Sequence, residues 1–294
     1  MRTALMDALF ERMRTDPRLY FLTADMGINI CERFEEAYPD RFLNVGIAEQ
    51  NLIGAAAGLA NAGFRPFAYT ISNFLIHRAL EQIRNDVLIH RLPVTLLGTS
   101  TGFDNAPLGP THHVIDDWGP LAALGARIDI YSPASKRYAG ALVGRILESG
   151  IPAYVRIAKS HQIDEEEPGD AVHYAGDPGS ALLVTYGSAA RAALEARAAD
   201  PSIGVLILQR LAPLPGADII RTYHRAIVIE DHFPWSGLYS RLCQRAMAGR
   251  WSTRIESAAP DDYSLDVAGS ADGYWRRYRM DSGSVAARVN GHGG

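Results

Sequence analysis

Cysteine is scarce in this chain of 294 residues: Cys31 and Cys243 are its only two, far apart. That excludes a secreted disulfide scaffold, and two thiols cannot by themselves make the usual structural zinc site. An excess of basic residues is also lacking. The formal net charge is -4, so no positive field is available to wrap nucleic acid, although a few arginines can still build a local anion site. No apolar run reaches the roughly 18 residues a membrane helix needs. The opening MRTALMDALFERMRTDP reads as a charge-studded amphipathic helix, not a signal peptide. The expectation is a soluble cytoplasmic protein that touches neither nucleic acid nor membrane. Two fingerprints are missing too: no GxGxxG opens a strand–helix unit, and GxxxxGK[ST] does not occur. Dinucleotide oxidoreductases and P-loop enzymes lose their usual support.

What is present is ordinary globular material, with 47% apolar and 21% charged residues, enough for a sizeable core. The length exceeds a usual single domain, so two are expected. Apolar strands such as RLYFLT, RPFAYT, PVTLLGTS and PAYVRIAK alternate with helices, of which FLIHRALEQIRNDVLI is the clearest. The strands lack clean alternation, which favours a sheet covered on both faces. The fold class is therefore α/β with mainly parallel sheets covered by helices. Residues 1–163 form the larger domain, 164–179 a linker marked by an acidic, Pro- and Gly-containing stretch, and 180–282 a smaller α/β domain. Residues 283–294 are expected to fray. In the small-residue helix after Ala48, Gly54 and Gly58 would each cost about 1 kcal/mol relative to Ala, so close packing there is expected.

Glu49 stands between an apolar opening and that run of small residues. It has two readings: a first-turn carboxylate meeting free N–H groups, or a carboxylate that meets a proton-bearing ligand. In LGPTHH, His112 and His113 follow a Gly-Pro turn and precede Asp116 and Asp117. That loop is either a polar turn or a proton-exchanging site; a metal site is a third reading, weakened because adjacent histidines diverge and no HExxH spacing accompanies them. His77 reads as a satisfied helix histidine and Phe74 as core. Arg78 and Arg84, six apart, need not share a face. Arg156 lies in an apolar strand and must either bind an anion or pair with a buried partner.

The segments NVGIAEQNLIGAAAGLANAGFRPF, FLIHRALEQIRND, GPTHHVIDD and SPAS resemble the pyrimidine-binding domain of transketolases and deoxyxylulose-phosphate synthases. AIVIEDHFPWSGLYSRL resembles that family's C-terminal domain, so the likeness covers nearly the whole chain. The resemblance implies thiamine diphosphate bound between two polypeptide surfaces, with Glu49 hydrogen-bonding the aminopyrimidine and Phe74 stacking on it. Ile71 and His77 stand where other members carry aromatics around that ring, and Asp25 matches an acidic residue on the active-site face. His112 matches a histidine that approaches substrate oxygens, and Arg156 a phosphate-binding arginine. Two positions depart from the pattern: Leu108 replaces an acidic sugar contact, and Ser100 lies near the place of a phosphate-contacting histidine.

The GDG segment and Asn that hold magnesium and the diphosphate in complete transketolases are not found in residues 1–163. The resemblance then implies a split enzyme: an N-terminal-type subunit holds Mg²⁺ and the diphosphate, and the pair assembles as α₂β₂. No metal ligand is assigned to this chain. The implied activity is transfer of a two-carbon ketol unit from a ketose to an aldehyde through a cofactor-bound carbanion. Decarboxylative carboligation from a 2-oxo acid such as pyruvate and a non-catalytic, partner-binding role are the alternatives.

Overall fold

The computed structural model describes residues 1–125, 127–159, 163, 169–265 and 269–291. Its first half runs α1 (Arg2–Thr15), β1 (Leu19–Thr23), α2 (Cys31–Ala37), β2 (Phe42–Asn44), α3 (Glu49–Asn61), β3 (Arg65–Ile71), α4 (Ser72–Gln82), β4 (Thr95–Thr99), α5 (Trp118–Ala123), β5 (Asp129–Tyr131), α6 (Lys136–Ser149) and β6 (Ala153–Ile157). A π-helical turn at Ile83–Leu88 extends α4, and two 3₁₀ turns, Ala106–Leu108 and Pro110–His112, shape the loop after β4. The second half runs β7 (Ala171–Tyr174), β8 (Ala181–Thr185), α7 (Ala189–Ala199), β9 (Gly204–Leu208), β10 (Arg210–Ala212), α8 (Ala217–Ile220), β11 (Arg225–Ile229), α9 (Leu238–Gly249), β12 (Arg254–Ala258), α10 (Ala271–Arg277) and α11 (Ser282–Val289).

Among the described residues these strands form two sheets, ordered β10-β5-β6-β4-β3-β1-β2 and β12-β11-β8-β9-β7. Pairing is parallel except where β10 meets β5 and β7 meets β9. Both faces of the first sheet are covered, as the unbroken apolar strands suggest. Successive residues serve opposite faces: Phe21, Phe67, Leu97 and Val155 pack with α1 and α6, whereas Leu22, Ala68, Leu96 and Tyr154 pack with α3 and α4. The second core continues into the other half, where Leu182, Val184, Leu206 and Leu238 join the same cluster.

The division expected from sequence therefore needs amendment. β10 lies inside the expected second domain but closes the edge of the first sheet, Arg210 pairing with Tyr131. Its register is held by charge as well as backbone, with Arg210 bound to Asp129 at 2.6 Å. Within the expected linker, Ala171–Tyr174 is an edge strand of the second sheet; residues 164–168 lie outside the described residues. The end expected to fray contains α11, capped by Asp281, which accepts from the Ser284 N–H at 3.1 Å. It packs on α7; residues 292–294 are outside the described set. The close packing expected at Gly54 and Gly58 is not found among the described residues. α3 buries Leu52, Ile53, Ala56, Ala57 and Ala60, while a Cβ on either glycine would meet nothing within 4 Å.

Candidate active site

Ligands of open parallel sheets collect beyond the carboxyl ends of the strands. There β1 leads to Asp25, β3 ends at Ile71, and β4 leads to Ser100. α3 starts at Glu49 with Ala48 as its cap residue, which offers no side-chain acceptor, so Glu49 supplies the negative charge of the first turn. Yet its side chain points inward and is only 4% exposed. A buried carboxylate needs a partner, and α4 provides it. Nη1 of Arg78 donates to both Glu49 oxygens, at 3.2 and 3.0 Å.

Arg78 follows Phe74 by one helical turn, so the two share a face. The guanidinium carbon stands 4.1 Å from the Phe74 ring centroid. The His112 ring meets Phe74 edge-on at 5.3 Å. His112 itself ends the turn Pro110–His112, with Nδ1 3.0 Å from the Thr111 hydroxyl. Asn73 ties this loop to α4 by donating to the Thr111 carbonyl at 2.6 Å. A further tie runs from His77, whose Nε2 lies 3.0 Å from Asp116 Oδ1. The Tyr263 hydroxyl, from the second half of the chain, donates to the other Asp116 oxygen. Asp116 raises the His77 pKa by hydrogen bonding and charge, against burial. For Asp116, burial pulls upward, but the hydrogen bonds from His77 and Tyr263 leave its pKa below the usual value. Glu49, Arg78, Phe74 and His112 thus form one run of contacts along the rim, and the His77–Asp116 pair holds the histidine loop to α4 beside it.

The neighbouring histidine goes elsewhere. His113 is buried between Phe103 and Tyr274, 5.3 and 4.6 Å from their centroids, and burial lowers its pKa. The two adjacent histidines diverge and cannot chelate one ion. Among the described residues, no cluster of three or more His, Cys, Asp or Glu side chains has metal-holding geometry.

The other expected site residues are placed differently. Asp25, at φ 51°, exchanges two hydrogen bonds with Asn44: its N–H donates at 2.9 Å, and its carboxylate accepts at 3.2 Å. Ile71 is the residue before α4 and is half-buried. Leu108 lies exposed on the loop rim. Ser100 is fully buried, so its hydroxyl is not presented at the surface of the site. Arg156 is the clearest correction. It is 1% exposed, and each of its three nitrogens donates to a partner: Nε to Asp117 at 3.0 and 2.7 Å, Nη1 to Asp231 at 3.1 Å, Nη2 to the Val114 carbonyl at 3.1 Å. Burial alone would lower its pKa; Asp117 and Asp231 more than reverse that and hold it charged. Buried beneath these partners, the guanidinium is not presented at the surface of the site. Of the two sequence readings, buried pairing is the one realised.

That pairing fastens the histidine loop to both halves of the chain. Tyr154 donates to Asp117 at 2.5 Å, and Ser188 donates to Asp231 at 3.1 Å. Gly102 sits so close that a Cβ there would run into the Asp231 carboxylate, and its φ of 57° favours glycine independently. Nearby His232 is pushed down to about 4, chiefly by burial. Its Nε2 accepts from the Gly119 N–H at 3.4 Å, which leaves the ring proton on Nδ1, 3.1 Å from the Phe233 carbonyl.

Sequence reasoning missed two members of the rim. Arg78 was legible from the i, i+4 spacing to Phe74, which places both on one helix face. Tyr263 carried no local signal, since it meets Asp116 across 147 residues of chain.

The family profile described as "Transketolase, pyrimidine binding domain" matches residues 1–162. A protein of Methanocaldococcus jannaschii named "Putative transketolase C-terminal section" is 26% identical over 98% of this chain and 95% of its own length. An apulose-4-phosphate transketolase component of Actinobacillus succinogenes is 36% identical over 53% of this chain and 51% of its own. The "1-deoxy-D-xylulose-5-phosphate synthase" of Thermus thermophilus is 30% identical over 81% of this chain and 40% of its own. The chain therefore spans about half the length, or less, of the two bacterial relatives. Among solved structures, one described as "Split gene transketolase, inactive beta4 tetramer" superposes with TM-score 0.86 and 26% identity, covering 99% of this chain and 97% of that one. A Pichia stipitis transketolase shares the fold, with TM-score 0.81 at 16% identity over 45% of its length. The chain belongs to the transketolase family and has the pyrimidine-binding and C-terminal build of the split-gene type.

Proposed function

We propose that this chain provides the pyrimidine-binding half of a two-component transketolase-like enzyme, which moves a two-carbon ketol unit from a ketose donor to an aldehyde acceptor. The observation that carries this reading is the rim itself: an inward-pointing carboxylate at a helix start, an aromatic ring beside it, and a histidine edge-on to that ring. Those groups fit thiamine diphosphate. Glu49 would hold the aminopyrimidine by a hydrogen bond to a ring nitrogen, and Phe74 would offer a ring face. When bound, the cofactor supplies the thiazolium carbon and the electron sink that carbon–carbon transfer needs. Mg²⁺ and the diphosphate would be held mainly by an N-terminal-type partner subunit.

The chain's own residues then divide the work. Glu49 fixes the protonation state of the pyrimidine half. His112, oriented by the Thr111 hydroxyl, stands where it can exchange a proton with a substrate oxygen. His77, held by Asp116, adds a second polar group to the ring pocket, in place of an aromatic. Leu108 leaves the loop rim apolar, and Ser100 and Arg156 are not offered to the substrate. An α₂β₂ assembly follows if the cofactor is shared between unlike chains; the relative of the same build is described as an inactive β₄ tetramer.

Reconstitution tests this. The purified chain is mixed with a diphosphate-domain subunit, thiamine diphosphate and Mg²⁺, and two-carbon transfer from ketose donors is followed. Activity should require both subunits and should fall sharply in Glu49→Gln, together with hydrogen exchange at the thiazolium carbon. Exchange at the parental rate in Glu49→Gln would contradict the role given to that carboxylate. Decarboxylative carboligation is the second reading, favoured by the synthase of Thermus thermophilus at 30% identity; consumption of pyruvate with carbon dioxide release would select it.

A further inference from the structure

Arg78 meets, at one time, the two side chains that this functional reading assigns to the aminopyrimidine. Its guanidinium is flat and rich in N–H donors. It lies over the Phe74 ring at 4.1 Å and donates to both Glu49 oxygens at 3.2 and 3.0 Å. An aminopyrimidine is also flat and donor-bearing, and it would use a ring face of Phe74 and the same carboxylate. Stacked planes need about 3.5 Å of thickness each, so no second plane fits between Arg78 and the ring it covers.

We propose that Arg78 is a gate on the pyrimidine pocket: it makes the contacts with Glu49 and Phe74 that an aminopyrimidine would make, and it swings off them when the cofactor enters. The proposal rests on the reading of Glu49 given above. The two partners are unequally free to move. The Arg78 side chain is 48% exposed and has water to move into, whereas that of Glu49 is 4% exposed and anchored at a helix start. α4 also loses its regular geometry immediately after Arg78, at Ala79 with φ -114° and ψ 17°, and continues into the π-helical turn. Arg78 is the cation among the residues lining the pocket, the others being Ile47, Ala48, Gln50 and Asn51 around Glu49. While it is seated, Glu49 has its counter-charge from Arg78, and the Phe74 face that Arg78 covers is closed to a second ring. Admission of the cofactor exchanges one ion pair and one cation–π contact for the new contacts, a handicap of roughly tenfold in affinity.

Calorimetric titration of the reconstituted two-subunit protein with thiamine diphosphate and Mg²⁺ tests the gate, using the parent, Arg78→Ala, Arg78→Lys and Glu49→Gln. Arg78→Ala should bind the cofactor about tenfold more tightly, with Arg78→Lys in between because it keeps the charge and loses the flat stack. Glu49→Gln should bind more weakly. Unchanged or weaker binding in Arg78→Ala overturns the gate and makes Arg78 a holder of the site. Parental binding in Glu49→Gln instead overturns the reading of Glu49, and the two failures are thereby distinguished. Should Arg78→Ala not fold, the order of Arg78→Lys and the parent decides the same question.

Discussion

Replacing Arg156 by Met probes the join between the two halves of the chain. Methionine keeps an unbranched apolar stem, so the change removes mainly the guanidinium. What remains is a pair of carboxylates, Asp117 and Asp231, 0% and 2% exposed, without their shared cation, and a Val114 carbonyl without that donor. Removing one partner of a buried ion pair costs about 3–5 kcal/mol because the other is left uncompensated. Here two acids are left, so the upper part of that range is expected, a loss of roughly a thousandfold or more in the folded-to-unfolded ratio. Asp231→Asn is the internal control. It keeps an oxygen for the Arg156 donor, turns its amide NH₂ toward the Ser188 hydroxyl, which can accept, and leaves the Arg156–Asp117 pair intact, so about 1 kcal/mol is expected. Urea unfolding followed by tryptophan fluorescence suits the question, since Trp118 is fully buried and its indole donates to Tyr186, in the second half, at 3.1 Å. Equal midpoints for Arg156→Met and Asp231→Asn would refute the clamp. Unaltered stability with a loss of phosphorylated-sugar affinity would restore the arginine as an anion anchor.

Three further outcomes are expected. His112→Ala should slow single-turnover transfer by about 10² to 10⁴-fold while cofactor affinity is retained; parental single-turnover rates would remove His112 from the chemistry. Because Asp116 raises the His77 pKa, the stability this pair contributes is fully present below the unfolded value of about 6.5 and is lost as pH rises through the folded one. Asp116→Asn should therefore lower the His77 midpoint in an NMR titration, and an unmoved midpoint would refute the pairing. Burial pushes the Glu230 carboxyl up to about 7, against hydrogen bonds from the Tyr239 and Leu238 N–H groups and the Tyr186 hydroxyl. The folded chain then keeps a proton that the unfolded chain releases above about 4.3. Stability should fall by on the order of 3 kcal/mol as pH rises from about 4.5 to 7. Glu230→Gln should flatten that slope in urea midpoints taken across the range; an unaltered slope would refute the assignment.

Local order decided much of this protein before any fold was considered. Unbroken apolar strands interleaved with helices forced a parallel sheet with two covered faces, because neither strand face could be left in water. The Gly-Pro turn before His112 and the helix start at Glu49 were legible as positions, since turns and helix ends depend on near neighbours in the chain. Tertiary structure alone decided what those positions meet. Arg156 reads identically in sequence whether it faces a phosphate or two aspartates, and only the approach of Asp117 and Asp231 over 39 and 75 residues chose the second. The same holds for β10, drawn to the first sheet by Asp129, and for Tyr263 reaching Asp116. Charge pairing is set by distance in space and by exclusion of water, and neither quantity is written in the order of residues.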